Sequence, residues 1–295
     1  MFFLCYLGML TQIVQIMNSE RGNPMTLLVV DKKEKVIHVG SDSRYSLGEY
    51  RLDCGPKVFE VKARFSYATD SQKSSKVGFA FDGDVTFFFS LKSKLDLVFD
   101  NLFVYPYQDS EDEIMMEKVE DICNEIANDY LNSRSADGQY SLLNCIGTQV
   151  LFFYRSIDDG KTLKAYCFTC GEDYKFTCEE IPDGETFYGS GAEKAQLFYD
   201  AGEYKNIVRF LLRVIKDAGE DTIGGSVQLG RLDENEFNII GYQDFDGFKY
   251  VYHLGNAVVD TENFIPREAA FYKIWSEDEI KEKQENYVSE MNAET

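Results

Sequence analysis

Thr26 behind Met25, with Asp42 and Lys57 further on, could cleave an amide bond. A threonine hydroxyl is a poor nucleophile near neutral pH and needs an adjacent base. An α-amine, with an ordinary pKa of ~7.7–8.0, is neutral often enough to accept the hydroxyl proton. Only a chain-terminal threonine carries both groups on one residue. A lysine ammonium nearby favours the neutral amine by like-charge repulsion, and a carboxylate holds that lysine in place. Asp42 in Gly40-Ser41-Asp42-Ser43-Arg44 and Lys57 in Gly55-Pro56-Lys57 could supply these roles from neighbouring strands of one hairpin sheet. Arg44 would share a face with Asp42, two residues away.

Each residue also has a plainer reading. Threonine favours strands, Asp42 and Arg44 would make an ordinary surface ion pair, and Lys57 after Gly-Pro would be a solvated turn residue. Ser190 in Gly189-Ser190-Gly191 would cap the helix that carries Leu197 and Phe198. Metal chemistry is poorly supplied. Cys167 and Cys170 form a lone C-x-x-C with no second pair, and His38 and His253 are the only imidazoles, so these read as strand and loop residues. No metal or cofactor is expected.

The elements that must position these groups follow from pattern. Residues 26–30 and 35–39 read as a hairpin across the charged turn 31–34, with the first run apolar on both faces. Further strands are expected at 58–62 and 76–81. A helix is expected within about 86–103. A second follows from the spacing of Met115, Val119, Ile122, Ile126 and Tyr130. Strands at 147–154, 163–168, 174–178 and 186–188 come next. They precede a helix with Ile207, Phe210, Leu211, Val214 and Ile215 on one stripe, and strands at 226–229 and 236–240. Strand blocks alternating with helix pairs predict an α+β fold, a four-layer αββα sandwich.

Composition narrows the partners. The 295 residues carry 51 Asp+Glu against 30 Lys+Arg, a net charge of −21, which repels nucleic acid and anionic membranes. With 23 Phe and 19 Tyr a sizeable core is available. Seven cysteines without regular spacing suit a reducing, cytoplasmic compartment rather than a disulfide framework. Residues 1–25 begin with an apolar stretch lacking a basic start or a small-x-small cleavage site, and read as a prosegment or an unused upstream extension. Residues 26–245 form the main domain, and residues 246–295 an acidic, helical C-terminal extension.

Thr26, Asp42, Lys57, the strand end Gly78-Phe79-Ala80-Phe81-Asp82-Gly83, Gly189-Ser190-Gly191 and Ile223-Gly224-Gly225 stand in an order that resembles the proteasome β-type family of N-terminal-nucleophile hydrolases. The resemblance is nearest the bacterial peptidase that partners an unfoldase ATPase. It implies that Thr26 is the nucleophile, Lys57 tunes its amine, Asp42 orients Lys57, and Ser190 places the amine proton. The family's Asp before Ser-Gly-Gly is replaced by Glu220, with Asp221 beside it and Ile223 at the Ser position. An oxyanion donor would come from the backbone at Ala80-Phe81, where the Phe81 ring would narrow the pocket. The activity so implied is threonine-type peptidase action on a polypeptide, in a homo-oligomeric ring and with an unfoldase ATPase as a possible partner. The alternatives are a proteasome-like scaffold without activity and an N-terminal-nucleophile amidase acting on a small amide.

Overall fold

The computed structural model describes residues 26–47, 50–53, 55–67, 72–104, 110–132, 145–218, 223–245, 249–254, 257–259 and 271–293. Its first elements are the expected hairpin. Strand β1 (Leu28–Lys33) pairs antiparallel with β2 (Val36–Ser41) across Glu34 and Lys35, so that Val30 faces Val39. A short ribbon, β3 (Tyr45–Leu47) and β4 (Tyr50–Leu52), precedes the long hairpin of β5 (Val58–Tyr67) and β6 (Gln72–Asp82). Helix α1 (Val85–Phe99) starts at Asp84, whose carboxylate accepts the Thr86 and Phe87 N–H groups at 2.8 and 3.1 Å. After β7 (Leu102–Val104) comes α2 (Glu111–Asn132), the helix that the Met115-to-Tyr130 spacing predicts.

The second half repeats the alternation. Strands β8 (Gln149–Arg155), β9 (Leu163–Cys170), β10 (Phe176–Glu180) and β11 (Gly184–Tyr188) lead into helices α3 (Ala192–Asp200) and α4 (Ile207–Ala218). Then come β12 (Gln228–Leu232), β13 (Phe237–Phe245), β14 (Tyr250–Leu254), β15 (Ala257–Val259), β16 (Phe271–Lys273) and helix α5 (Glu277–Ala293). The fold is a mixed α+β one. One sheet runs β11-β1-β2-β12-β13-β14-β15, with β16 parallel to β13, and a second runs β10-β9-β8-β6-β5-β7.

Strand alternation sorts the apolar side chains into three clusters. Leu28, Val30, Val39 and Phe237 of the first sheet meet Val58, Ala80, Leu151 and Phe153 of the second. The Phe237 ring stacks on Phe153 at 6.1 Å and lies over Gly78 and Gly230, where any Cβ would run into it. The next residues along each strand point the other way. Phe79, Phe81 and Phe152 pack with Phe87, Leu91, Met115 and Val119 of α1 and α2. Leu27, Val29 and Leu229 pack with Phe210, Leu211 and Val214 of α4. β1 is therefore covered on both faces, as its unbroken apolar run requires.

Within 246–295 the acidic end, expected as helix from Ser276, forms α5 from Glu277, while among the described residues ahead of it β14 and β16 both join β13. Their aromatic runs, Tyr250-Val251-Tyr252 and Phe271-Tyr272, carry strand preference that the acidic composition of the segment masks. Trp275 closes the connection, its indole N–H on Asp244 at 2.6 Å and its ring between Arg209 and Lys283. Among the described residues no helix is long and apolar enough to cross a membrane.

Candidate active site

The chain leaves the β2 ladder at Ser41, and Asp42 turns inward. Its Oδ1 accepts the Lys57 ammonium at 2.9 Å and the Leu27 N–H at 3.0 Å. Its Oδ2 accepts the N–H groups of Arg44 at 3.1 Å and Gly224 at 3.2 Å. Both side chains of the Asp42–Lys57 pair are 0% exposed. A buried charge persists only when paired and hydrogen-bonded, and here one carboxylate gathers four donors. Burial lowers the Lys57 pKa, and the charge and hydrogen bond of Asp42 work against that fall.

Lys57 does not lie on the hairpin sheet of Asp42, contrary to the sequence expectation. It immediately precedes β5 of the second sheet, so the pair joins the ends of two sheets. Gln228, at the start of β12 in the first sheet, reinforces that junction. Its Oε1 accepts the N–H groups of Lys57 and Val58 at 2.8 and 3.2 Å, and its Nε2 donates to the Gly55 carbonyl at 2.5 Å. No local pattern marks Gln228, because its partners lie 170 residues away in sequence.

Thr26 lies just ahead of β1 and is 3% exposed. Its N–H donates to Ser190 Oγ at 3.0 Å, and its carbonyl accepts the Gly191 N–H at 3.0 Å. Ser190 is thus not the cap of α3. That cap is Gly191, which makes no side-chain capping bond. Gly189 has φ +82°, and a Cβ there would run into the Thr26 carbonyl oxygen and come within 3.3 Å of the Asp82 carboxyl carbon. Only glycine allows that approach.

Ala80 and Phe81 do not take the positions expected of them. Ala80 points between the sheets, while Phe81 points to the helices and stacks on Phe87 at 5.9 Å. Its ring therefore does not narrow the site. The Phe81 N–H donates to the Lys57 carbonyl at 3.0 Å, which commits it to the strand ladder rather than to an oxyanion. The side chain at the site is Asp82, on the Ala80 face of β6. It is 7% exposed and its Oδ1 has no partner. Burial pushes its carboxyl pKa up to about 6, against hydrogen bonding from Thr26 and the positive charge of Lys57. Strand alternation alone could have marked this residue, since Ala80 and Asp82 share a face.

Arg44 turns to Asp53, with bonds of 2.5 and 2.8 Å, and holds that carboxyl below its ordinary range. The alternation argument for Arg44 fails because residues 42–44 are outside any strand. Glu220 and Asp221 lie outside the described residues. His38 sits on β2 opposite Asp31 with its ring edge-on to Tyr272, and burial lowers its pKa to about 4. Cys167 and Cys170 belong to different core clusters on opposite faces of β9, so they cannot share a metal.

Thr26, Asp42, Lys57, Ser190 and Asp82 thus converge where the two sheets end. A hydroxyl beside a carboxylate, an ammonium and a hydroxyl acceptor can support acyl transfer. No family model and no curated protein matches the chain. Among solved structures it is similar to "Thiobacillus denitrificans BPH in complex with Epoxomicin", at 14% identity and a TM-score of 0.44, over 71% of this chain and 99% of that one. A likeness of that size carries no argument about family or activity.

Proposed function

We propose that the chain is a threonine-type N-terminal-nucleophile hydrolase of the proteasome β-like kind, built as a four-layer αββα sandwich and cleaving peptide bonds through an ester on Thr26. One observation carries this reading. The carboxylate that holds the buried Lys57 ammonium also holds the N–H of the residue after Thr26, while Ser190 Oγ receives the N–H of Thr26 itself.

In the continuous chain that Thr26 nitrogen is an amide, which donates a proton and accepts none. Cleavage between residues 25 and 26 would put an α-amine in its place against Ser190. Lys57 would favour its neutral form, and the amine would take the hydroxyl proton as Oγ attacks the carbonyl. The proton passes to the departing amine, and water then hydrolyses the ester. A homo-oligomeric ring and an unfoldase ATPase partner belong to the same proposal, with sedimentation velocity as the test of the ring.

The 3% exposure of Thr26 and the committed Phe81 N–H favour a second reading, a scaffold without turnover. Intact mass of the purified protein separates the two. A chain starting at Thr26 that gains one adduct from a hydroxyl-directed peptide inhibitor, with none on Thr26→Ala, is the hydrolase result. A retained residue 25 with no adduct is the scaffold result. Parallel peptide and small-amide substrates decide the substrate class.

A further inference from the structure

We propose that Asp82 is a general base for the Thr26 hydroxyl, able to take its proton while the Thr26 nitrogen is still in peptide linkage. The inference rests on Thr26 being the nucleophile and adds a second proton acceptor to that site. An amine can serve as the base only at a chain terminus. Asp82 depends on no terminus.

The placement comes from the strand end. β6 finishes with Asp82 on the face it shares with Ala80, turned from the helices and toward Thr26, whose hydroxyl is its hydrogen-bond partner. Its Oδ1 is buried without a donor, a capacity the fold leaves unspent. Gly189 lets the Thr26 carbonyl and the Asp82 carboxyl both close on the place where a Cβ would stand. The charged groups around Asp82 are Lys57, which favours the carboxylate, and Asp42, which opposes it. Gln149, its register partner on β8, is neutral and spends its Oε1 on the Gly189 N–H at 2.9 Å. A carboxyl near 6 is largely ionised at neutral pH, yet basic enough for proton transfer.

The step balances. The Thr26 Oγ–H bond breaks toward Asp82 as Oγ bonds to the acyl carbon. The C–N bond then breaks while Asp82 returns the proton to the departing amine. Water repeats the exchange on the ester. The negative charge moves from Asp82 to the acyl oxygen, so the net charge around the Asp42–Lys57 pair does not change during the step.

The test uses the full chain and a peptide β-lactone, which a hydroxyl opens with the proton passing to the released alcohol. Adduct formation on Thr26 is followed by intact mass from pH 4.5 to 8.5. The wild-type rate is expected to climb through a single midpoint near pH 6 and then level. Asp82→Asn should slow it about 10²–10⁴-fold and erase the midpoint. Asp82→Glu should restore part of the rate with a displaced midpoint, and it carries the test alone if the Asn variant does not fold. An Asn variant acylated at the wild-type rate and with the wild-type pH profile overturns Asp82 and leaves Thr26 standing. So does labelling confined to molecules that begin at Thr26. No adduct on any form at any pH overturns the nucleophile, and the base with it.

Discussion

Replacing Asp42 by Asn keeps the volume of the side chain and removes its charge. In the native site Oδ1 and Oδ2 receive four donors: the Lys57 ammonium and the N–H groups of Leu27, Arg44 and Gly224. An amide turns one acceptor oxygen into an NH₂. Either way it is flipped, two of the four donors then face hydrogens, and the buried Lys57 loses its counter-charge. Removing one partner of a buried ion pair costs about 3–5 kcal/mol. Lys57 offsets part of this, since burial already favours its neutral form. Against a total stability of about 5–15 kcal/mol the loss is large, and the melting temperature should fall by roughly 6–20 °C. Urea denaturation at pH 7, followed by circular dichroism, measures it. Lys57→Met alone should also destabilise, while the double variant should cost less than the sum of the two, because no uncompensated charge remains. An Asp42→Asn variant within about 1 kcal/mol of wild type, or a strictly additive double, would refute the claim that this pair organises the site.

Three further outcomes follow. The Asp82 carboxyl is raised on folding, so its contribution to stability is complete below its unfolded value of about 3.9 and is lost as pH rises through about 6. Asp82→Asn should therefore stabilise the protein by up to about 3 kcal/mol at pH 7.5 and by almost nothing at pH 4, read as the difference between urea midpoints of variant and wild type. Gly189→Ala places a methyl against the Thr26 carbonyl at a positive φ, so both stability and acylation of Thr26 should fall. A normal acylation rate would show that the site does not depend on that close approach. Phe237→Ala empties the ring site over Gly78 and Gly230 between the sheets and should cost about 3–5 kcal/mol in thermal or urea unfolding.

What the sequence made legible is what local pattern encodes. The 26–39 hairpin, the Met115-to-Tyr130 helix and the Ile207 stripe are periodic over windows long enough for burial on one or both faces to dictate residue type. Thr26, Asp42, Lys57 and Ser190 stand out only as a set, by the order of their motifs along the chain, since each alone reads as a strand, turn or cap residue. The geometry that joins them was not legible. Asp42 and Lys57 follow a hairpin and a Gly-Pro turn, which reads as one sheet, yet the long β5–β6 hairpin belongs to a second sheet, so their contact is tertiary. The same holds for Gln228, whose amide bridges the sheets from a position with no local mark.

Asp82 is the instructive case, because the signal lay in plain view. In Gly78-Phe79-Ala80-Phe81-Asp82, Phe79 and Phe81 occupy one face and Ala80 and Asp82 the other. Two large rings beside a helix layer demand the core, which leaves the aspartate toward the sheet junction and Thr26. Phe81 has the opposite parity and faces the helices. A phenylalanine at that point would have been a steric plug with its N–H offered to an oxyanion. The strand instead spends that N–H on Lys57 and offers a carboxyl. Parity therefore turns a question of pocket width into one of proton transfer, which is why the pH dependence of Thr26 acylation, rather than any change of substrate size, is the measurement on which the site's chemistry turns.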